Sequence, residues 1–564
     1  MSNDLNTLDK RLIRNNIFVY AVLILLTGCF FYVGLGGYYL TAPDEPRFAL
    51  VAKEMLTENH WVLPHRNSIP YPDKPPLFFW TIAAFSALAG GEVNAWTARL
   101  PSAVAATIIL LFMWRFSRKE ENENLLPILT VLVLMTSALF FFQARIAQID
   151  MVLCVFTTAA SIIGYKAVSG SRYSAFWMGM AMGAGILTKG PVGYLIPAGT
   201  VVLFAAFKGR IGWKRYPLKA LAWGLVPAVI WLVLLIIDVT AHNQWDYLKN
   251  LLFKQTVVRY VDAWHHHQPV YYFFVTFLHD FLPWTPFFFI AIPFTRKSRQ
   301  SLDDRQLFSW AVVVFTVIFF SISSGKRGIY ILPIFPFAAY LTAVRLLRMI
   351  RSEHHTRWPI GAGVVTGFLL LAVGLALCVA GGGWVKNPVE WIDTPLPLSR
   401  LFAAGLVVTP LAVGVMFFSF KRRFLNMTLA VVLSMLVLNL LFFQVMLPWV
   451  DPFRSSKGFM ETVNRIIHHH DDDPVVGMVR YRSAYRLYGD FPLVEIPPKY
   501  ETDDSIENIA EFFYHYPDGW IIIREKDLNR FVEKNELAVT VHHMQKLGSG
   551  KNMMLITKKG YAGM

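Results

Sequence analysis

Three polar clusters interrupt a chain that is otherwise rich in apolar residues. They occupy residues 44–47 (Asp-Glu-Pro-Arg), 71–76 (Tyr-Pro-Asp-Lys-Pro-Pro) and 325–330 (Gly-Lys-Arg-Gly-Ile-Tyr). Adjacent carboxylates can act as a general base, orient an acceptor or hold a cation, whereas lysine, arginine and tyrosine can bind a phosphate. Charged groups beside apolar spans are costly and usually mark a site. The clusters therefore predict a site for an anionic, lipid-carried substrate.

Structural roles account for some of the same residues. Asp44 and Glu45 precede an amphipathic helix predicted to run through Met55, and acidic residues are favoured at helix N-termini. Spacing alone does not choose between that role and chemistry. The prolines around Lys74 place the lysine at the membrane interface, where it suits either one lipid phosphate or the headgroups of bulk phospholipid.

Composition indicates the class of protein. The chain has 564 residues, of which 55% are hydrophobic and 16% are charged, against about a quarter charged in soluble domains. Long apolar runs recur between residues 17 and 447, which predicts a polytopic α-helical membrane protein. Most of the formal net charge of +15 lies in short loops between spans, where it sets orientation, so nucleic acid is not an expected partner.

Lysine and arginine concentrate in alternate loops, which the positive-inside rule makes cytoplasmic. Thirteen crossings fit between these loops, with the N-terminus in the cytoplasm, the C-terminus outside and the first span kept as an uncleaved anchor. The predicted crossings are residues 17–37, 99–116, 126–142, 151–168, 174–187, 192–207, 218–239, 271–292, 308–324, 329–347, 360–381, 401–419 and 427–446.

The charge alternation leaves one apolar stretch, residues 77–90, without a place as a crossing. Residues 38–98 are therefore predicted to form one long external loop whose apolar stretch lies on or dips into the membrane; an ordinary crossing is the alternative. We divide the chain into a transmembrane domain, residues 1–450, and a small α/β domain outside the membrane, residues 451–564, with strands at 475–479, 520–523 and 553–556.

The predicted external loops and their edges hold nearly every notable ionisable group. Several cations around a few carboxylates are what capture of a phosphate and its leaving group requires. The histidine runs at 265–267 and 468–470 are not expected to bind metal, because consecutive side chains cannot all reach one ion. The groups in these loops are Asp44, Glu45, Arg47, Asp73, Lys74, Arg145, Asp150, Lys189, Arg259, Lys326 and Tyr330.

In the order and placement of these pieces the chain resembles the GT-C superfamily of polyprenyl-phosphate-sugar glycosyltransferases. Within it the resemblance is strongest to the 4-amino-4-deoxy-L-arabinose lipid A transferases, which are related to the protein O-mannosyltransferases. The resemblance covers about residues 15–350. The pieces that carry it are residues 43–49 (Pro-Asp-Glu-Pro-Arg-Phe-Ala), 71–76, Asp150, 187–190 (Leu-Thr-Lys-Gly), Arg259, and 325–326 ahead of Tyr330.

The resemblance implies a donor in which undecaprenyl phosphate carries a sugar, used at the periplasmic face of the bacterial inner membrane. Lys74, Arg47, Arg259 and Tyr330 would hold the polyprenyl phosphate, with Tyr71 beside it. The sugar would pass to lipid A or another envelope acceptor by attack on the anomeric carbon. The only other expected partners are membrane lipids, and no nucleotide or metal cofactor is expected.

The resemblance also implies the catalytic and acceptor-side groups. Asp44 would lie near the anomeric centre, with Glu45 and Asp150 as the other predicted catalytic carboxylates, and Lys189 and Lys326 would line the acceptor side.

The chain departs from the family pattern at three places: Asp73 stands for a glutamate, Thr256 for a histidine found in some relatives, and Phe48 for a tyrosine. The resemblance therefore carries over neither a metal nor the exact sugar.

Two other functions fit the sequence. The same chemistry on protein or another glycan differs only in the acceptor, which these motifs do not specify. A flippase or transporter for a lipid-linked substrate would place polar groups near the bilayer midplane, often in repeated halves. The predicted ionisable groups instead collect at one face and no repeat is present, which favours the enzyme.

Overall fold

The structure of the chain is a computed structural model. The structure describes residues 16–118, 124–168, 172–208, 218–251, 268–295, 300–323, 325–351, 357–384, 396–470, 473–480, 482–496, 505–529, 538–547 and 551–559. The predicted phosphate ligand Arg259, the substituted Thr256 and the histidine run at 265–267 lie outside these residues.

Helices make up most of the first 454 residues. They are α1 (Asn16–Thr27), α2 (Asp44–Glu58), α3 (Leu77–Leu88), α4 (Ala95–Ser117), α5 (Leu125–Met135), α6 (Ala138–Ala144), α7 (Ile149–Ala167), α8 (Arg172–Lys189), α9 (Val192–Phe207), α10 (Leu218–Ala241), α11 (Trp245–Lys249), α12 (Tyr272–Asp280), α13 (Thr285–Phe289), α14 (Asp304–Ile322), a 3₁₀ helix (Gly328–Ile334), α15 (Phe335–Arg351), α16 (Trp358–Gly381), α17 (Leu398–Phe420), α18 (Phe424–Leu441) and α19 (Leu447–Arg454). Single π turns extend α1 (Gly28–Tyr32) and join α18 to α19 (Phe442–Met446).

These helices make the chain a multi-pass membrane protein. Among the described residues eight helices are long and apolar enough to cross a bilayer, and the bent pair α5–α6 is a ninth candidate. Each of the thirteen predicted crossings contains helix, while their number stays a prediction. The apolar stretch in the first loop is α3, whose 12 residues extend only about 18 Å against a bilayer core of about 30 Å. Its length fits the prediction that it does not cross.

Two predicted crossings are broken rather than continuous, which corrects the prediction of single spans at 126–142 and 271–292. Helices α5 and α6 meet at 73°, where Thr136 Oγ1 and Ser137 Oγ bond back to carbonyls of the preceding turn. Helix α12 ends before Pro283, which has no N–H to continue the helix. The two breaks contact each other, because Trp284 Nε1 donates to Thr136 Oγ1 at 2.8 Å.

The loop predicted to be the first external one, residues 38–98, is ordered by a short hairpin between α2 and α3. Strands β1 (His65–Arg66) and β2 (Ile69–Pro70) pair antiparallel. Both turn residues, Asn67 and Ser68, have positive φ, as a type I′ hairpin turn requires. The buried carboxylate of Glu54 accepts the backbone N–H groups of Asn67 at 2.7 Å and Ser68 at 3.1 Å. Helix α2 and the hairpin are thereby joined into one unit.

Residues beyond 454 form the predicted α/β unit. Helices α20 (Lys457–His470), α21 (Ser483–Tyr488) and α22 (Ser505–His515) accompany strands β3 (Val476–Val479), β4 (Leu493–Ile496), β5 (Trp520–Arg524), β6 (Val539–Leu547) and β7 (Lys551–Lys558). The sheet order is β4-β3-β5-β7-β6. Strand β3 pairs parallel with β4 and β5, while β7 pairs antiparallel with β5 and β6. The strands predicted at 475–479, 520–523 and 553–556 are confirmed.

This unit packs on the first external loop. Asn67 Nδ2 donates to the Leu493 carbonyl at 2.8 Å, and Lys53 Nζ donates to the Leu487 carbonyl at 3.2 Å. The backbone N–H of Tyr39 donates to the Asp451 carboxylate. The loop that carries the first two polar clusters is therefore held between the helical bundle and the C-terminal sheet.

Candidate active site

Asp44 is the centre of the first polar cluster. It begins α2, and its Oδ1 pairs with Arg47 one turn later at 2.5 Å. Its Oδ2 accepts from Gln148 Nε2 at 3.0 Å and from Arg327 Nη2 at 3.1 Å. Residues separated by more than a hundred positions therefore meet at one carboxylate, and the first and third polar clusters are brought together.

The surroundings of Asp44 favour its charged form. Burial alone would raise the pKa of this carboxyl, but Arg47, the Gln148 hydrogen bond and Arg327 together lower it below its ordinary value. A nearby cation and a hydrogen bond both favour a carboxylate over the neutral acid. Asp44 is therefore an ionised group at neutral pH, able to accept a proton or to stabilise a developing positive charge.

A second ion pair lies where α7 begins and α8 ends. Asp150 in the first turn of α7 accepts from Lys189, the last residue of α8, at 2.5 Å. Lys189 Nζ also lies 4.4 Å from the ring centre of Tyr330, a cation–π distance. Lys189, predicted on the acceptor side, thus contacts both a predicted catalytic carboxylate and a predicted phosphate ligand.

Arg327 joins the two pairs. Burial would lower the pKa of its guanidinium, but Asp44, Asp150 and Tyr330 raise it, so both carboxylates and the tyrosine lie within electrostatic reach of Arg327. Its neighbour Lys326 is instead the residue predicted from the sequence to lie on the acceptor side. Because Arg327 has extended backbone angles, adjacent side chains there point in opposite directions.

Lys326 faces away from Asp44. It is 4% exposed, and its Nζ donates to the carbonyls of Ser323 at 2.6 Å and Gln268 at 3.0 Å. These bonds tie the turn to a neighbouring segment. The geometry favours a structural role for Lys326 in place of the predicted acceptor-side role.

The contacts of Glu45 also differ from those expected of a catalytic carboxylate, the role predicted for it. Its carboxylate accepts Arg99 Nε at 2.8 Å, Arg99 Nη2 at 2.9 Å, and the backbone N–H groups of Thr41 and Ala147, each at 2.7 Å. A carboxylate has about four lone-pair sites, so this one is saturated. Glu45 is suited to fastening the loop before Gln148 to α2, and thus to positioning the residues around Asp44.

The second polar cluster lies beside the first. Tyr71 follows the hairpin and is 3% exposed, and its electrostatic neighbours are Arg47, Asp73, Arg66 and Asp44. Lys74 Nζ donates to the Asp73 carbonyl at 2.9 Å. Two of the predicted phosphate ligands, Arg47 and Tyr71, are therefore brought together.

No group of three or more His, Cys, Asp or Glu side chains suited to a metal ion occurs among the residues that the structure describes. The histidines of the second run, His468, His469 and His470, end helix α20 and have no metal-like grouping.

Comparison with known proteins identifies what this architecture is similar to. Residues 73–237 match the family model described as dolichyl-phosphate-mannose-protein mannosyltransferase. The undecaprenyl phosphate-alpha-4-amino-4-deoxy-L-arabinose arabinosyl transferase of Edwardsiella ictaluri is 28% identical over 369 residues, which is 64% of this chain and 63% of that protein. Arabinosyl transferase 2 of Pseudomonas fluorescens is 26% identical over 368 residues, 63% of this chain and 64% of that protein. The matched region thus spans slightly less than two thirds of both relatives.

The fold comparison extends over nearly the whole chain. The crystal structure of ArnT from Cupriavidus metallidurans bound to undecaprenyl phosphate superimposes with a TM-score of 0.73 at 20% sequence identity, covering 97% of this chain and 99% of ArnT. The apo structure of the same protein gives a TM-score of 0.72. The sequence matches confirm the resemblance to the aminoarabinose transferases. The superposition confirms the predicted polytopic α-helical fold, while the number of crossings and the side of the membrane on which the C-terminal sheet lies stay predictions.

Proposed function

We propose that this chain is an integral membrane glycosyltransferase that moves a sugar from undecaprenyl phosphate to lipid A. The observation that carries the proposal is the ionised Asp44, which pairs with Arg47 and Arg327. Arg327 also lies within electrostatic reach of Asp150, which pairs with Lys189. It combines a charged carboxylate with several cations, and an anionic leaving group needs such cations. The names of the arabinosyl transferases matched above give the class of donor, and the resemblance described in the sequence analysis implies lipid A as the acceptor.

The proposed reaction is a displacement at the anomeric carbon of the sugar. The bond between that carbon and the phosphate oxygen breaks, and its electron pair leaves with the polyprenyl phosphate. An oxygen of the acceptor forms the new bond and gives up its proton. Asp44 either accepts this proton or stabilises positive charge on the sugar ring. Its low pKa favours the second role, because a weaker base is a poorer proton acceptor. In that case the proton passes to the departing polyprenyl phosphate, which becomes a base as it leaves with the electron pair.

The cations divide between the two substrates in this proposal. Arg47, Tyr71 and Lys74 would bind the donor phosphate together with Arg259, as the resemblance implies. Asp150 and Lys189 would face the acceptor. Arg327 contacts Asp44 and lies within electrostatic reach of Asp150, so it is placed to neutralise the phosphate charge that develops between them.

The proposal includes an orientation and a cofactor requirement. The N-terminus is cytoplasmic, while the site and the C-terminal sheet face the periplasm. The sugar arrives already activated by its phosphate link, so the reaction as written requires neither a nucleotide nor a metal ion.

Mass spectrometry of lipid A and total envelope glycans tests the proposal. The samples come from cells with the intact gene, without it, with Lys74→Ala, and with Lys421→Ala, an exposed lysine on the opposite, predicted cytoplasmic side. We expect a sugar-sized mass on lipid A that disappears in the deletion and Lys74→Ala strains and persists with Lys421→Ala. Normal transfer by stable Lys74→Ala protein would remove this lysine from the mechanism.

A second candidate is the same chemistry with protein as the acceptor. It is favoured by the match of residues 73–237 to the mannosyltransferase family model. In that case the glycan mass would vanish from envelope proteins while lipid A stays unchanged. No difference in any pool would instead support transport of a lipid-linked substrate.

A further inference from the structure

Three buried hydrogen-bond donors near the second polar cluster have no partner in the part of the chain that the structure describes. They are Arg47 Nε, the Tyr71 hydroxyl and the hydroxyl of Tyr247. Tyr71 is 3% exposed and Tyr247 is 4% exposed. Buried polar groups are nearly always satisfied, so an unsatisfied set calls for an explanation. All three can donate, which points to an acceptor that the set is built to bind.

Tyr247 comes from a separate part of the chain. It lies on α11, the short helix after α10, and belongs to an apolar cluster with Leu63 of the first loop and Val239 of α10. Leu77, at the start of α3 and three residues after Lys74, packs against the same cluster. The ring of Tyr247 is therefore fixed between the hairpin loop and the helix that follows the Lys74 segment.

The Tyr247 hydroxyl lies within electrostatic reach of the second polar cluster. Its pKa is raised mainly by burial and further by Asp73 and Tyr71. The pKa of Tyr71 is also raised, again mainly by burial. Both phenols therefore remain protonated at neutral pH and are able to donate. Tyr71 lies near the guanidinium of Arg47 and Tyr247 lies near Tyr71, and two neutral donors with a nearby cation suit an anion with several free oxygens, such as a phosphate.

We propose that Tyr247 is a further donor-binding residue, whose hydroxyl donates to the phosphate of the polyprenyl substrate alongside Tyr71 and Arg47 Nε. This assignment rests on the proposed function and adds a ligand that neither the sequence motifs nor the resemblance supplies. Its location after α10 means that the phosphate would be bound by the first external loop and by the segment following α10 together.

A purely structural role for Tyr247 predicts a different behaviour. The ring alone would fill the space among Leu63, Leu77 and Val239, and the hydroxyl would contribute nothing to binding. Removing only the oxygen therefore separates the two roles. Tyr340 provides a matched control, because it is also fully buried, its hydroxyl also has no partner among the described residues, and its ring packs on Phe116 inside the helical bundle.

The experiment measures binding of undecaprenyl phosphate to the purified full-length protein in detergent, by calorimetric titration. Wild type is compared with Tyr247→Phe and Tyr340→Phe, and undecaprenol and phosphatidylglycerol serve as probes that lack the phosphomonoester. Thermal unfolding of each ligand-free variant reports folding. A hydrogen bond to a charged group predicts about a tenfold or greater loss of affinity for Tyr247→Phe. Tyr340→Phe should bind like wild type.

The outcomes separate this assignment from the proposed function. Equal affinity of wild type and Tyr247→Phe for undecaprenyl phosphate would overturn the role of Tyr247 and leave the proposed donor intact. Absence of binding by folded wild type would overturn both. Equal weakening of phosphatidylglycerol binding would also overturn the assignment, because the hydroxyl would then serve a general lipid headgroup site. In a transfer assay, Tyr247→Phe should raise KM for the donor.

Discussion

Two neighbouring carboxylates, Asp44 and Glu45, are held by arginines in opposite ways. Glu45 pairs with Arg99, and the two side chains are 3% and 0% exposed. Asp44 pairs with Arg327, and these side chains are 10% and 37% exposed. One pair is closed, with its carboxylate saturated by donors, while the other leaves its arginine partly open to a ligand. The difference separates positioning from chemistry within a single helical turn.

The closed pair determines where the open one lies. Glu45 accepts the backbone N–H of Ala147, and the next residue, Gln148, donates its side-chain amide to Asp44. Adjacent residues of a helix point about 100° apart, so one turn of α2 can hold the loop with one acid and present the other. A buried ion pair is weak evidence for stability in itself, and here its use is to fix geometry.

Asp44→Asn should give the largest effect. The amide keeps the size of the side chain but loses the negative charge, so transfer should fall by about 10²–10⁴-fold, the range of a positioned acid–base group. Initial rates with purified protein and a polyprenyl-phosphate-sugar donor measure the loss. The unfolding temperature should change little, since the side-chain oxygen of asparagine, like that of aspartate, can accept from Gln148. Nearly normal rates would show that the open carboxylate is not catalytic.

Arg99→Met should mainly affect folding. It leaves the Glu45 carboxylate buried without its cation, and breaking a buried ion pair costs about 3–5 kcal/mol. Less folded protein in detergent and a lower unfolding temperature are the expected results. The double variant Glu45→Leu, Arg99→Leu should recover part of this loss, because an apolar pair removes the unpaired charge. An Arg99→Met protein as stable as wild type would contradict the role of a closed clamp.

Arg327→Gln should shift the pH dependence of transfer. Arg327 is one of the groups that lower the pKa of Asp44, so removing its charge raises that pKa. The carboxylate is active above its pKa and is lost as the pH falls through it. The acid limb of the pH–rate profile should therefore move to higher pH, and the rate at neutral pH should fall about tenfold or more with the loss of a charged contact.

The neighbouring variant Lys326→Gln sharpens this result. Lys326 contacts backbone carbonyls rather than Asp44, so its loss should lower the unfolding temperature and leave the acid limb in place. The reverse pattern, with Lys326→Gln moving the limb and Arg327→Gln leaving it, would show that the wrong cation has been assigned to Asp44.

The same contrast shows how far the sequence predicted the site. Asp44, Asp150 and Lys189 were selected from their residue types at loop edges, and the structure pairs them with cations or with each other. The contact of Arg327 with Asp44 and the partners of Glu45 could not be predicted by that argument. Which of two adjacent residues faces a site depends on local backbone direction, and Glu45 depends on a partner 54 residues away.

The prediction of the fold succeeded where general constraints apply and failed where local detail decides. Apolar length and charge bias located helix in every predicted crossing, because the bilayer imposes both constraints. The breaks at Thr136 and Pro283 arise from local groups, namely hydroxyls that bond to the preceding turn and a proline without an N–H, which apolar length and charge bias do not report. Tyr247 is missed for a different reason, since nothing in its local sequence shows that its hydroxyl is buried near Asp73.

The variant with the smallest expected effect tests whether the C-terminal sheet helps to position Asp44. Asn67→Gly preserves the positive φ of the hairpin turn and removes the hydrogen bond to the Leu493 carbonyl. One such bond contributes about 0.5–1.5 kcal/mol. Hydrogen exchange of β4 should therefore increase modestly while the rate of transfer stays close to wild type. Ser68→Gly is the matched control, because it changes the same turn and its side-chain hydroxyl donates to Glu58 rather than to the C-terminal sheet. If Asn67→Gly instead lowers the rate as far as Arg327→Gln does, the C-terminal sheet takes part in holding Asp44. The set of residues that position Asp44 would then extend beyond the Glu45–Arg99 pair to the hairpin and β4.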